Sequence, residues 1–158
     1  MRRYVLGLGS NQGDSYTILN GALEELSEML SGFKAAPFYK TRPMHIEDQP
    51  LFLNTACSGG FEGEPLALLK ALHEVERRHG RDRTRERRWG ERRLDIDILY
   101  AGDFILNTES LEIPHPRLFE RRFALEPLLA LEPYAADPVS GKSLRSICDA
   151  LPDQGVTL

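Results

Sequence analysis

The sequence contains few residues of the kinds that define disulfide-rich or membrane proteins. Among its 158 residues are only two cysteines, Cys57 and Cys148. They are too few for a disulfide framework, and neither lies in a paired metal-ligand spacing. No apolar run approaches the length of a membrane helix, and the first apolar stretch is interrupted at Gly7, too early for a signal peptide. We therefore expect a cytoplasmic protein with reduced cysteines and no membrane partner.

Lysine is also scarce, whereas arginine is abundant and concentrated in one segment. The chain has 20 basic residues, of which only four are lysines. Residues 77–93 contain nine arginines and three acidic residues, a net charge of +6, although the whole chain carries −4. A surface that served only solubility would contain both lysine and arginine, so this arginine cluster favours bidentate recognition of phosphate. The acidic total argues against a nucleic-acid partner.

The order of the predicted elements indicates a fold class. A length of 158 residues with 41% hydrophobic content is typical of one globular domain, which we expect over residues 1–158. Periodicity predicts strands at 4–9, 34–41, 52–61 and around residue 96, and helices after residue 14, at 65–80, 122–131 and 144–151. The first six elements give the order β-α-β-β-α-β of an α+β, ferredoxin-like antiparallel sheet. Two helices would cover one face, leave the other free for ligand loops, and precede a C-terminal extension of short elements.

The predicted strand around residue 96 carries two acidic residues. Asp95 and Asp97 are two apart and share one face, whereas Leu94, Ile96 and Ile98 share the other. Adjacent carboxylates repel each other and need a counter-charge, which is usually a hard divalent cation. Carboxylates for Mg²⁺ next to guanidiniums for phosphate indicate chemistry on a nucleoside triphosphate. Taken alone, however, such a pair is more often two strand-end aspartates that form salt bridges, here with Arg92 or Arg93.

A longer stretch around these aspartates resembles a known family. Residues 88–99, with the sequence RWGERRLDIDIL, are similar to the signature of the 6-hydroxymethyl-7,8-dihydropterin pyrophosphokinase family of folate biosynthesis. Further segments occur in family order: LGSN at 8–11, QPLFLN at 49–54, NT at 107–108, PHPR at 114–117 and ERRF at 120–123. The resemblance covers nearly the whole chain. It implies a ferredoxin-like fold and transfer of diphosphate from MgATP to the hydroxymethyl group of the pterin, with release of AMP.

The resemblance also implies roles for the residues around ATP. Asp95 and Asp97 would bind two Mg²⁺ ions and act in catalysis together with Arg81 and Arg92. The predicted ATP ligands are Glu76, Arg81, Arg83, Arg88, Arg92, Ile98, His115 and Arg121. It stays open which of Arg85, Arg87 and Arg88 takes the inner phosphate role, and whether Glu76 is only a surface charge. No strong general base and no nucleophilic serine or cysteine is evident, and phosphoryl transfer requires neither.

The pterin would be held between aromatic rings, with an amide on its edge. Phe52 and Phe123 match the stacking pair of the family, and Asn54 matches the amide. The predicted pterin ligands are Gly9, Thr41, Pro43, Met44, Phe52, Asn54, Trp89, Asp95 and Phe123. The expected partners are therefore ATP and 6-hydroxymethyl-7,8-dihydropterin. The sequence does not determine the oligomeric state, and we expect a monomer.

Two other classes of function are compatible with parts of the pattern. A two-metal nucleotidyl transferase or cyclase can place paired aspartates on a related sheet, but it would release pyrophosphate instead of AMP. An RNA-binding module can stack bases on the aromatic residues of the same sheet. The acidic total and the scarcity of lysine argue against the RNA-binding alternative.

Overall fold

The structure, a computed structural model, describes residues 1–42, 51–79 and 93–158. Its strands are β1 (Arg2–Ser10), β2 (Ser31–Ala35), β3 (Tyr39–Thr41), β4 (Phe52–Phe61), β5 (Asp95–Tyr100), β6 (Leu106–Asn107), β7 (Glu112–Ile113) and β8 (Val156–Thr157). Its helices are α1 (Ser15–Met29), α2 (Pro65–Arg78), α3 (Arg122–Leu131) and α4 (Leu144–Asp149), with a 3₁₀ turn at Leu118–Glu120. No helix within these described ranges is both long enough and apolar enough to cross a membrane.

The main sheet has the order β5-β1-β4-β3-β8, with β2 also paired to β4, and every pairing is antiparallel. β1 and β4 form its centre and pair without a register shift from Arg2↔Phe61 to Ser10↔Leu53. β6 and β7 form a separate hairpin. The predicted ferredoxin-like arrangement is confirmed, whereas the β6–β7 hairpin and β8 are too short to have been predicted from periodicity.

One face of the sheet is covered by α1 and α2, as the sequence predicts. α1 begins after Asp14, whose side chain accepts a hydrogen bond from the Thr17 N–H at 3.2 Å and so caps the helix. The apolar residues of both helices are buried against alternate residues of the strands, such as Leu6 of β1 and Ile96 of β5. Burial of this apolar area provides most of the driving force for the fold.

The second face of the sheet is not free, and the expectation of an uncovered face is wrong. Leu125 and Leu128 of α3 are completely buried in a second core cluster with Val5, Ala56 and Leu99 of the sheet. The predicted 122–131 helix, whose apolar residues are too many for an exposed position, supplies this layer. The sheet therefore lies between two helical layers, and α3 leaves one end of this second face open.

The predicted strand at 34–41 is divided into β2 and β3. Pro37, which has no N–H group to donate, lies in the break. The Thr55 hydroxyl of β4 donates to the carbonyl oxygens of Ala36 and Pro37 at 3.0 and 3.1 Å and so replaces the missing ladder. β2 is itself irregular: its register against β4 shifts between Ser31 and Lys34, and Gly32 in this stretch has a φ of +59°.

Candidate active site

A cavity of about 160 Å³ occupies the open end of the second sheet face. Four strands and the segment that leads into α3 contribute its walls. The lining residues are Gly7, Leu8, Gly9, Thr41, Arg42, Phe52, Asn54, Thr55, Asp95, Asp97, Leu99, His115, Arg117, Leu118, Arg121, Phe123 and Ala124. Seven of the predicted ligands are therefore brought together from distant parts of the sequence, in addition to the two aspartates.

Strand alternation places both carboxylates in this cavity. Asp95 and Asp97 point away from the core that contains Ile96, and they lie opposite Gly9 and Gly7 of β1 respectively. Because the two glycines have no side chains, the acidic pair faces bare main chain across the strand boundary. The predicted placement of two acids on one face is confirmed.

A β-bulge ends this acidic stretch. Leu6 pairs with Ile98 and Val5 pairs with Tyr100, so Leu99 is the extra residue of β5. A Cβ atom at Gly7 would lie 2.9 Å from Leu99 Cδ1, so glycine is required there for the leucine to pack onto β1. The Leu99 carbonyl oxygen accepts a hydrogen bond of 2.9 Å from the N–H of His115. The bulge thereby holds the segment that contains His115 beside the two aspartates.

His115 is held in one protonation state. Its Nδ1 accepts a hydrogen bond of 3.1 Å from the Arg117 N–H. Burial, assisted by the nearby positive charge of Arg121 and Arg117, lowers the pKa of His115 to about 4, although Asp95 acts in the opposite direction. At neutral pH the imidazole is therefore uncharged, with its proton on Nε2. It can donate a hydrogen bond to an anionic ligand but cannot act as a base through Nε2.

Arg121 brings a partly buried positive charge to the same region. Burial and the neighbouring Arg117 lower the pKa of its guanidinium, whereas Asp97 and Asp95 raise it. An arginine stays charged under such a shift. The guanidinium carbon also lies 5.4 Å from the centre of the Phe123 ring, within the range of a cation–π contact. Arg121 thus lies between the acidic pair and the aromatic wall.

The opposite part of the cavity is suited to a flat polar ligand. The buried Asn54 donates from Nδ2 to the Thr41 hydroxyl at 2.7 Å, which fixes the orientation of its carboxamide. Gly9 is the β1 partner of Asn54, and a Cβ there would lie 2.9 Å from Asn54 Oδ1. Phe52 and Phe123 supply apolar rings to the lining. These five predicted pterin ligands converge on one space.

Two predicted ATP ligands lie elsewhere. The side chain of Ile98 is buried in the core beneath the sheet, so only its main chain could reach a nucleotide. Glu76 does not line the cavity: it is 1% exposed, and its Oε2 accepts a hydrogen bond of 2.7 Å from the N–H of Ile96. The alternative of a surface charge is therefore wrong for Glu76, whose visible contact positions β5.

The remaining predicted ligands lie outside the described residues. They are Pro43, Met44, Arg81, Arg83, Arg88, Trp89 and Arg92, together with the alternatives Arg85 and Arg87. The residues that flank the arginine segment 80–92 are described, however. Arg93 donates from Nε to the carbonyl oxygen of His79 at 2.9 Å, which joins the residue before the segment to the residue after it.

Several cavity residues were not predicted as ligands. Arg42 and Arg117 bring further positive charge, and Gly7 and Leu99 form part of the floor. Arg117 is the last residue of the PHPR segment, so its sequence did contain a signal. Gly7 could have been found because it shares the face of Gly9 on β1, two residues apart. The bulge that brings Leu99 into the lining leaves no such pattern.

The donors of this cavity suit magnesium bound together with phosphate. Among the described residues, no group of three His, Cys, Asp or Glu side chains could hold a metal ion. Magnesium in nucleotide sites usually takes one or two carboxylates and completes its shell with phosphate oxygens and water. Asp95 and Asp97, with Arg121 and His115 nearby for the phosphates, match that arrangement better than a metal cage formed by protein alone.

The fold and the cavity together define a ferredoxin-like α+β domain whose cavity brings two carboxylates close to aromatic rings and a buried amide. Residues 5–133 match the family model of 7,8-dihydro-6-hydroxymethylpterin-pyrophosphokinase (HPPK). Since this match covers most of the chain, the chain belongs to the HPPK family. The family resemblance read from the sequence is confirmed.

Individual relatives agree with this assignment. The chain is 38% identical over 146 residues to the 2-amino-4-hydroxy-6-hydroxymethyldihydropteridine pyrophosphokinase of Aquifex aeolicus, covering 92% of this chain and 89% of the relative. The corresponding Bacillus subtilis protein is 41% identical over 125 residues, covering 78% and 74%.

Other relatives are much longer. The folic acid synthesis protein fol1 of Schizosaccharomyces pombe is 38% identical over 97% of this chain, but the chain spans only 21% of that protein. The crystal structure of wild-type Plasmodium falciparum HPPK-DHPS has a TM-score of 0.73 at 16% identity and covers 94% of this chain and 44% of that one. At that identity the likeness concerns the fold alone. The chain thus corresponds to one part of these longer proteins.

Proposed function

We propose that the chain is a single ATP-dependent pyrophosphokinase domain over residues 1–158. It transfers diphosphate from MgATP to the hydroxymethyl group of 6-hydroxymethyl-7,8-dihydropterin, which yields the pterin diphosphate and AMP. The observation that carries the proposal is one cavity with two halves. Asp95, Asp97, His115 and Arg121 line one half, and the Asn54–Thr41 pair with two phenylalanine rings lines the other.

The acidic half holds the triphosphate. Asp95 and Asp97 bind the magnesium ions, for which we propose a count of two. Those ions, when bound, supply positive charge to the phosphate oxygens and lower the pKa of the attacking hydroxyl group. His115 donates a hydrogen bond from its Nε2–H group to a phosphate oxygen, and Arg121 provides a desolvated positive charge. Because such donors are fixed before the reaction, they stabilise developing charge without reorganisation.

The other half holds the pterin ring. The Thr41 hydroxyl keeps the Asn54 carboxamide in one orientation, so that the amide can pair with the donors and acceptors on the ring edge. Phe52 and Phe123 offer their faces for stacking. This placement brings the hydroxymethyl group next to the phosphates, and alignment of the two substrates provides much of the catalysis in phosphoryl transfer.

The arginine segment 80–92 completes the proposal. We assign Arg81, Arg83, Arg88 and Arg92 to the triphosphate, with Arg81 and Arg92 in catalysis, and Trp89, Pro43 and Met44 to the pterin. The His79–Arg93 hydrogen bond supports this assignment because it anchors both ends of the segment to the domain that carries the cavity.

The test is an assay of the products. Purified protein is supplied with MgATP alone, with MgATP plus 6-hydroxymethyl-7,8-dihydropterin, and with MgATP plus 6-methyl-7,8-dihydropterin, which has the same ring but no acceptor hydroxyl. We expect AMP and the pterin diphosphate only with the hydroxymethyl substrate. Formation of ADP and a pterin monophosphate would contradict diphosphate transfer.

The same assay separates the alternative functions. A nucleotidyl transferase or cyclase would release pyrophosphate and form an adenylylated or cyclic product. An RNA-binding protein would consume no ATP and would bind single-stranded RNA in a salt-dependent way. In the described part of the chain, α3 covers much of the sheet face on which such a protein would bind RNA, which leaves little room for a single strand to lie across it.

A further inference from the structure

The C-terminal tail, residues 151–158, touches both walls of the cavity. Its strand β8 pairs with β3, with Thr157 opposite Lys40 and Val156 opposite Thr41. Thr41 is the residue that orients Asn54. The match to the family model ends at residue 133, before the tail begins.

Within the tail, Gln154 caps the helix that carries the aromatic wall. α3 begins at Arg122, and the residue before it, Arg121, provides no side-chain cap. The Gln154 side chain takes that place: its Oε1 accepts from the Arg122 N–H at 2.8 Å, and its Nε2 donates to the Glu120 carbonyl oxygen at 3.0 Å. One carboxamide thereby satisfies a donor of the first turn of α3 and an acceptor just before it.

Arg122, the first residue of α3, also forms hydrogen bonds from its side chain to the tail. Its Nε donates to the Pro152 carbonyl oxygen at 3.0 Å, and its second terminal nitrogen donates to the Leu151 carbonyl oxygen at 2.7 Å. The residues on either side of Arg122 in sequence are Arg121 and Phe123, both of which line the cavity. The tail therefore holds the backbone at the point from which the two ligand-facing side chains leave.

A glycine turn joins the two contacts of the tail. Gly155 has a φ of +73°, and its N–H donates to Asp153 Oδ1 at 2.8 Å. A Cβ atom at Gly155 would overlap the guanidinium of Arg42, which also lines the cavity. The turn thus lets the chain pass from the Gln154 cap to β8 while it packs against the end of β3.

We propose that Gln154 is a positioning residue of the pterin site, which acts by fixing Arg121 and Phe123 at the start of α3. The proposal depends on the function proposed above. Gln154 itself does not line the cavity, so it exerts its effect on the ligand only through these neighbours. The tail in this way couples the aromatic wall to the β3 edge that orients Asn54.

The test is a double-mutant cycle on pterin affinity. Gln154→Ala is compared with wild type, with Phe123→Ala and with the double variant, and the dissociation constant of 6-hydroxymethyl-7,8-dihydropterin is measured by calorimetry. Because pterin binding would have to restore the order at the start of α3 that this capping hydrogen bond otherwise provides, we expect an affinity loss of up to about five- to tenfold for Gln154→Ala. Its additional effect on pterin affinity in the Phe123→Ala background should be less than about twofold, because Phe123, the pterin ligand that Gln154 positions, is already absent, whereas Arg121 is assigned to ATP.

Two controls separate positioning from general stability. Ser143→Ala removes the cap of α4, where the hydroxyl accepts from the Ser146 N–H at 3.2 Å away from the cavity lining. It should lower the melting temperature as Gln154→Ala does but leave pterin affinity unchanged. Gln154→Glu keeps the acceptor for the Arg122 N–H and should recover part of the affinity.

The outcomes distinguish this inference from the proposed function. If wild type forms no pterin-dependent AMP, the function itself is wrong. If wild type is active but Gln154→Ala binds pterin normally, or if the two losses simply add in the double variant, the positioning role is overturned. Equal affinity losses in Gln154→Ala and Ser143→Ala would also overturn it, because they would reflect stability alone.

Discussion

The Glu76 carboxylate accepts a hydrogen bond of 2.7 Å from the N–H of Ile96, the residue that lies between Asp95 and Asp97. β5 is the outer strand of the sheet next to β1, so within the described ranges one edge of this strand has no neighbouring strand to pair with. The buried side chain of Glu76, on α2, accepts the hydrogen bond of the Ile96 N–H group at that edge. The spacing of the two aspartates is therefore supported from the opposite helical layer.

We predict that Glu76→Ala lowers both stability and turnover. The Ile96 N–H would lose the side-chain oxygen that accepts its hydrogen bond in a buried position, which costs about 1–3 kcal/mol of the free energy of unfolding. Loss of that support should also lower kcat more than it changes pterin affinity. Glu76→Gln, which keeps an acceptor oxygen, should retain more of both.

Glu74→Ala is the matched control for this change. Glu74 lies on the same helix but is exposed and paired with Arg77, so its removal should have little effect on either quantity. Denaturant unfolding and steady-state kinetics measure the two effects. A Glu76→Ala protein with wild-type turnover would show that the hydrogen bond to β5 has no catalytic consequence.

Asp97→Asn should abolish most turnover while the protein stays folded. The substitution removes one carboxylate from the cavity but leaves Ile96 and Ile98 in the core. We expect kcat to fall by at least about 100-fold, the scale seen when one preorganised electrostatic group is removed. Asp103→Asn, an equal change of charge on an exposed residue after β5, should have no such effect.

Magnesium titrations show whether turnover of Asp97→Asn falls because metal binding is weakened or because the cavity is altered. If Asp97 binds the metal, the variant should need more magnesium for half-maximal rate, whereas a purely structural role would leave that concentration unchanged. Near-normal turnover of Asp97→Asn would refute the metal assignment.

Phe123→Ala should weaken pterin binding more than ATP binding. Loss of a stacking ring costs about 1–3 kcal/mol for a flat heterocycle, and Arg121 would also lose the ring beneath its guanidinium. Phe119→Ala is the control, because Phe119 packs against the same core cluster without lining the cavity. Calorimetry with each ligand measures the difference, and equal losses for both ligands would contradict the stacking role.

His115 should make stability depend on pH between about 6.5 and 4. Its pKa is about 4 in the folded protein, below its ordinary value of 6.5, so the unfolded chain binds more protons within this window. Stability therefore falls as pH decreases from 6.5 to 4, with a slope of at most about 1.4 kcal/mol per pH unit from this residue. Denaturant unfolding of His115→Gln, which cannot titrate, should show a shallower decline. Parallel curves for the two proteins would disprove the lowered pKa.

Much of the fold could be predicted from apolar periodicity and from the prolines and glycines that begin or end helices and strands. β4 and α3 have the predicted bounds. β4 ends shortly before Pro65, which begins α2, and the dense apolar run after Arg121 defines α3. The function of α3 could not be derived in the same way. Periodicity shows that a helix is amphipathic or apolar, but it does not show which sheet face the helix covers.

The site could be predicted where a residue projects directly into the cavity from a strand. Asp95, Asp97 and Asn54 follow from alternation and from the family resemblance together. Glu76 and Gln154 could not be understood from sequence, because each contacts the main chain of a residue far away along the chain. Such contacts depend on how elements pack, and neither spacing nor charge pattern records them.

The glycines of β1 have a consequence for selectivity. At Gly7 and Gly9 the floor of the cavity is bare peptide backbone, and a methyl group at either position would lie 2.9 Å from Leu99 or Asn54. A side chain at Gly9 would displace the Asn54 carboxamide that we assign to the ring edge, and one at Gly7 would displace Leu99 beside Asp97. Selection of the heterocycle by its edge therefore depends on the absence of a side chain at Gly9 as much as on the amide itself.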